Sequence, residues 1–114
     1  DIHPAALLPD GDHQLRAVTD WGLLHWGCPL EDLVDAFISL ATDAQGAFDR
    51  RRGIALLEAY DSLVPIKRTP WTPVVASWCA QRLIDRERRS LPEGFMESVL
   101  PAPERLATAM ASCF

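Results

Sequence analysis

The sequence predicts an all-α protein, a compact bundle of five or six helices with no sheet. Three observations lead there. Apolar residues recur at i, i+3, i+4 and i+7 along much of the chain, the spacing of a helix face turned to a core. Helix start and stop signals punctuate these stretches, while strand signals are weak. The chain has 114 residues, 48% of them apolar and 24% charged, enough for one globular domain spanning 1–114.

Pro9-Asp10-Gly11 reads as a turn. Asp12 then serves as the cap of a first helix, with Leu15, Val18 and Trp21 beside Gly22 on one face and an i, i+4 pair between Asp12 and Arg16. Gly27-Cys28-Pro29 ends it. The next helix has the strongest pattern, Leu30, Leu33, Val34, Phe37, Ile38 and Ala41. Pro29 suits its first position, where a missing N–H costs nothing, and Glu31 and Asp32 favour the positive end of the helix dipole.

The stretch 43–64 admits one helix or two. Asp43 is a candidate cap, and Leu56, Leu57, Tyr60 and Val64 form an apolar face. Arg50-Arg51-Arg52-Gly53 has the composition of a helix end, yet the apolar face resumes beyond it without a turn cluster. One helix bent near Gly53 is the preferred reading. Three prolines in the nine residues 65–73 mark a loop. Thr72-Pro73 reads as cap and first residue of a helix to about Arg88, burying Val75, Trp78, Cys79 and Leu83. Ser90 and Glu93 match a capping box over a short element with Phe95, Met96 and Val99, which Pro101-Ala102-Pro103 breaks. A last helix carries Leu106, Met110, Cys113 and Phe114 on one side.

Cys28, Cys79 and Cys113 are too few, and odd in number, for a disulfide framework, which points to a reducing cytoplasm. The first residues are Asp-Ile-His rather than Met, and the expectation is one part of a longer protein. No apolar run is long enough for a membrane span.

Net charge is −5, but unevenly spread: −8 over residues 1–49, +5 over 50–89 and −2 over 90–114. Of the eleven cations all but Lys67 are Arg, whose planar fork suits carboxylate and phosphate. Arg50, Arg51 and Arg52 form one basic cluster, and Arg82, Arg86 and Arg89 lie in a second. Of four tryptophans, Trp21 and Trp78 fit helix faces and are expected in the core. Trp26 and Trp71, beside a glycine break and in the proline-rich loop, are candidate interface anchors.

Chemistry-bearing patterns are thin. Glu31-Asp32-Leu33-Val34-Asp35 places carboxylates on one helix face, as in the D-D-x-x-D metal motif of isoprenoid synthases, but without a second acidic cluster. His25-x-x-Cys28 has zinc-like spacing with only one pair of ligands. No G-x-S-x-G, H-E-x-x-H, C-x-x-C or phosphate-binding glycine loop is present. No catalytic residue, metal ligand or cofactor is therefore assigned.

Ala17-Val18-Thr19-Asp20-Trp21-Gly22-Leu23-Leu24, Arg51-Arg52, Glu58-Ala59, Thr69-Pro70-Trp71, Ala76-Ser77-Trp78 and Leu100-Pro101-Ala102-Pro103 occur in an order that resembles a family of uncharacterised bacterial helical proteins. Some members are encoded beside type VI secretion genes. The resemblance spans residue 17 to about 113 and implies a secretion-associated cytosolic accessory protein, with no catalytic residues to transfer.

The functional expectation is a non-catalytic protein-interaction domain, a cytoplasmic adaptor or accessory component of a bacterial protein secretion system. Its partner would be another protein, such as a secretion-apparatus component or a second copy of the chain. The partner-binding candidates are Arg50, Arg51, Arg52, Arg82, Arg86, Arg89, Trp26 and Trp71. The alternative is a nucleic-acid-binding regulator using the Arg clusters, which the net acidic charge disfavours.

Overall fold

A computed structural model describes residues 4–21, 26–42, 47–89 and 103–114, with backbone alone at 83 and 85–89. The chain opens with a 3-10 turn, Pro4–Ala6, that runs into β1 (Leu7–Pro9). β2 (Leu15–Val18) returns antiparallel to it, pairing Leu7 with Val18, Leu8 with Ala17 and Pro9 with Leu15. Four helices follow among the described residues: α1 (Pro29–Leu40), α2 (Arg50–Asp61), α3 (Trp71–Arg89) and α4 (Pro103–Ala111).

The hairpin overturns the expected sheet-free bundle of five or six helices and the helix expected from the Asp12 cap to the Gly27-Cys28-Pro29 break. Leu15, Val18 and Trp21 satisfy a helical spacing, but over so short a window the spacing does not discriminate. Backbone pairing with the apolar segment just upstream decides the matter. Asp10 builds the reversal: its Oδ1 accepts the backbone N–H of Asp12 and of Gln14, both at 2.9 Å, and His13 enters the left-handed region at φ 59°. Arg16 Nε donates to Asp10 Oδ2 at 2.6 Å, so the pair expected between Arg16 and Asp12 forms with Asp10 instead. Those bonds hold the Asp10 carboxyl below the usual range, the Gln14 N–H contributing most.

α1 is the central helix. Leu33, Val34, Asp35, Ala36, Phe37 and Ile38 are all buried, because α2 and α3 cover it from two sides. Pro29 takes its first position as expected. The single bent helix over 43–64 is replaced by one that begins at Arg50; residues 43–46, with the candidate cap Asp43, lie outside the described residues. Asp49 is the cap, accepting the N–H groups of Arg51 and Arg52 at 3.0 and 3.2 Å. Just before it, Thr42 and Phe48 form an isolated antiparallel bridge, which no helix through this stretch would allow.

Gly53 lets α2 approach α1 closely. A Cβ there would lie 2.8 Å from Phe37 Cε2 and 3.1 Å from Cys113 Sγ. At the other end of α2, Asp61 Oδ1 accepts the N–H groups of Ile66 and Lys67, at 2.8 and 3.1 Å, fixing the proline-rich loop. α3 begins at Trp71, so Pro73 lies within its first turn, where the lost N–H has no helical acceptor. Trp71, Val75, Trp78 and Cys79 turn inward against α1 and α4, where Leu106, Ala107, Met110 and Cys113 complete the core. Burial raises the thiol pKa of both Cys79 and Cys113, keeping them protonated packing groups. The element read over Ser90 to Val99 lies outside the described residues.

Candidate functional site

Two polar constructions stand out, one at the open end of the hairpin and one inside the helices. At the hairpin, the carbonyl oxygen of buried Ala6 accepts both the Thr19 backbone N–H at 2.8 Å and the Thr19 hydroxyl at 3.3 Å. This pair of hydrogen bonds ties the exit of β2 to the entrance of β1 and fixes where the next residue begins. This residue is Asp20, exposed, with φ at 62°. Left-handed backbone costs a non-glycine residue about 1 kcal/mol or more, is best tolerated by Asp and Asn, and concentrates where geometry serves function. Trp21 then folds back, its Nε1 donating to the Val18 carbonyl at 3.0 Å while the ring stays 64% exposed. The result is an aspartate carboxylate presented at the protein surface on a braced turn.

Inside the helices, Asp35 accepts Trp78 Nε1 at 2.8 Å on one oxygen and Arg82 Nη2 on the other. The guanidinium carbon lies 5.5 Å from the centroid of the Trp78 ring. With both oxygens engaged and the pair largely shielded, this triad locks α1 to α3. It also breaks up the acidic helix face. Asp35 is turned inward, Glu31 accepts the Ser77 hydroxyl at 2.6 Å, and Asp32 is exposed. No three His, Cys, Asp or Glu side chains gather as a metal cage among the described residues.

The described side chains among the expected partner residues have differing surroundings. Arg51 is exposed, Arg50 Nη2 reaches the Ser112 carbonyl at 3.1 Å, and Arg52 Nε pairs with its own cap Asp49 at 3.3 Å. Arg82 belongs to the buried triad, which removes it from a surface patch. The side chains of Arg86 and Arg89 lie outside the description. Trp26 is fully exposed, whereas Trp71, expected as an anchor, is 4% exposed and part of the core. Trp21, expected inside, is the exposed one. Loops bury a Trp when neighbouring helices close over it, and a two-stranded hairpin has too little mass to do so.

Residues 1–66 match APH, the phosphotransferase enzyme family. The chain belongs to this family. No curated protein and no solved structure matches it. The match overturns the non-catalytic secretion adaptor and its nucleic-acid-binding alternative, since the family is one of enzymes that transfer phosphoryl groups. Among the described residues no helix is long and apolar enough to cross a membrane.

Family membership also shows what the sequence reading passed over. Kinase sites carry a metal-holding aspartate at the start of D-F-G and a catalytic loop of the form H-R-D-L-x-x-x-N. This chain has Asp20-Trp21-Gly22 one residue beyond the end of β2, and Asp1-Ile2-His3-Pro4-Ala5-Ala6 with the loop's spacing but alanine at its last position. The triplet was visible in the sequence. Its meaning depends on a hairpin that a helix running from Asp12 to Gly27 would conceal.

Proposed function

We propose that this chain supplies the metal-binding end of a kinase-like phosphotransferase site, which moves a phosphoryl group from a nucleoside triphosphate to a hydroxyl acceptor. The observation that carries the reading is Asp20: an exposed carboxylate on a braced, left-handed turn at the hairpin exit, in a chain of the phosphotransferase family. The residues fit a divalent cation of the magnesium type. Such an ion usually takes one or two carboxylates and fills its other positions with water and phosphate oxygens, so a full protein cage is not required. Bound there, the ion would neutralise charge on the transferring phosphoryl group. Asp20 would hold the ion through its carboxylate. By spacing in the sequence, Asp1 has the position of the carboxylate that accepts the proton of the acceptor hydroxyl. The same reading keeps the chain in the cytoplasm, where its phosphoryl donor is found and where the exposed Cys28 thiol stays reduced.

Manganese binding tests this directly. Titration of the chain with Mn2+ and a non-hydrolysable ATP analogue, followed by the electron paramagnetic resonance of free Mn2+, is expected to show tight uptake. Asp20→Asn should weaken it at least ~10-fold, about 1.4 kcal/mol. Equal uptake by the variant and the unaltered chain would overturn the assignment of Asp20.

A further inference from the structure

We infer that this site holds one divalent cation rather than two, because the position that would contribute a side-chain ligand to a second ion is filled by Ala6. The inference rests on the phosphotransferase reading and adds to it the number of metal ions. In a kinase-type catalytic loop the residue five positions after the aspartate is an asparagine, whose amide oxygen ligates the second ion. Five positions after Asp1 stands Ala6, which offers a methyl group.

Ala6 is also the residue to which the fold ties the Asp20 turn. It is 1% exposed and bonded to Thr19, the residue directly before Asp20. Its backbone does not stand in for the lost side chain. A carbonyl oxygen has two lone pairs, and here both have donors, the Thr19 N–H at 2.8 Å and the Thr19 hydroxyl at 3.3 Å. A second ion at this point would have to break a bond that braces the Asp20 turn. The hydroxyl of Thr19 thus closes, from the opposite strand, a position that the methyl of Ala6 already leaves without a ligand. Charge on the phosphates would then be met by the single ion that Asp20 would hold.

The experiment counts ions. Mn2+ is titrated into the chain saturated with a non-hydrolysable ATP analogue, and bound ions per chain are read from the loss of the free Mn2+ signal beyond that caused by the same analogue without the chain. One ion per chain is expected, and two would overturn the inference. Ala6→Asn, checked for folding by circular dichroism, should raise affinity for a second ion at least ~10-fold; a folded variant that still binds one ion counts against Ala6 as the cause. Ala6→Ser offers a smaller oxygen ligand should the asparagine prove too large for the buried position, and the count on the unaltered chain decides the central claim in either case. Absence of any uptake, or uptake untouched by Asp20→Asn, would instead refute the phosphotransferase reading itself, so the two failures are separable.

Discussion

Gly53→Ala sets two known effects against each other at one atom. In an α-helix, alanine is favoured over glycine by about 1 kcal/mol. Against that, the new Cβ would stand 2.8 Å from Phe37 Cε2, 3.2 Å from Phe37 Cζ and 3.1 Å from Cys113 Sγ. The Phe37 ring is buried and rests against Phe48, their centroids 5.6 Å apart, so it has little room to swing away. Overpacking of such a core costs typically ~1–3 kcal/mol, and a clash against a hemmed-in ring belongs in the upper half of that range. The net expectation is a loss of about 1–2 kcal/mol. Unfolding entropy of about 2.1 cal/mol/K per residue over 114 residues gives about 0.24 kcal/mol/K, so Tm should fall by roughly 4–8 °C. Thermal melts by circular dichroism, with urea midpoints as a second measure, provide the assay. Phe37→Leu removes the clashing ring edge, and in a double-mutant cycle its coupling to Gly53→Ala should be favourable by about 1 kcal/mol. A Tm that is unchanged or raised, or strictly additive effects in the cycle, would refute the close-approach argument.

Asp35→Ala should cost about 3–5 kcal/mol, because it removes the carboxylate that pairs with the shielded Arg82 guanidinium and accepts from Trp78 Nε1, and replacing Arg82 by Met in the same chain should recover part of that loss in urea denaturation. Asp10 and Asp61 both have carboxyl pKa values lowered from 3.8, chiefly by the backbone N–H groups of Gln14 and Ile66. A lowered folded-state pKa contributes stability that is present above the unfolded value and is lost as pH falls through the folded one. Urea midpoints should therefore hold between pH 5 and 7 and decline below about pH 4, less steeply in Asp61→Asn. Asp20→Gly relieves the left-handed strain while adding glycine's backbone entropy, two effects of about 1 kcal/mol each; Tm should move by less than ~4 °C while Mn2+ uptake is lost. A large drop in Tm would show that Asp20 has a structural rather than a metal-binding role.

Much of the helical part was legible in the sequence because a helix is specified locally. Pro29, the acidic first turn and the i, i+3, i+4 series of Leu33, Val34, Phe37 and Ile38 all lie within one stretch of chain and place α1 correctly. The inward faces of α3 and α4 follow in the same way through Val75, Trp78, Cys79, Leu106 and Met110. The candidate site was legible only as letters. Asp20-Trp21-Gly22 stands openly in the chain, but only the hairpin before it makes the triplet informative.

What the tertiary structure decided has in each case a partner distant in sequence. β2 exists because Leu7 and Leu8 lie alongside it, and the Asp20 turn because Thr19 bonds Ala6 thirteen residues back. Asp35 left the acidic helix face for an ion pair with Arg82, and Trp71 left the surface when α3 closed against its neighbours. The sequence by itself determined α1 with Pro29 at its first position and most of the buried faces of α3 and α4, since those depend on neighbours three or four positions away. Strand pairing, charge burial and the exposure of aromatic side chains depend on which segments meet in space, and only the folded chain settles that.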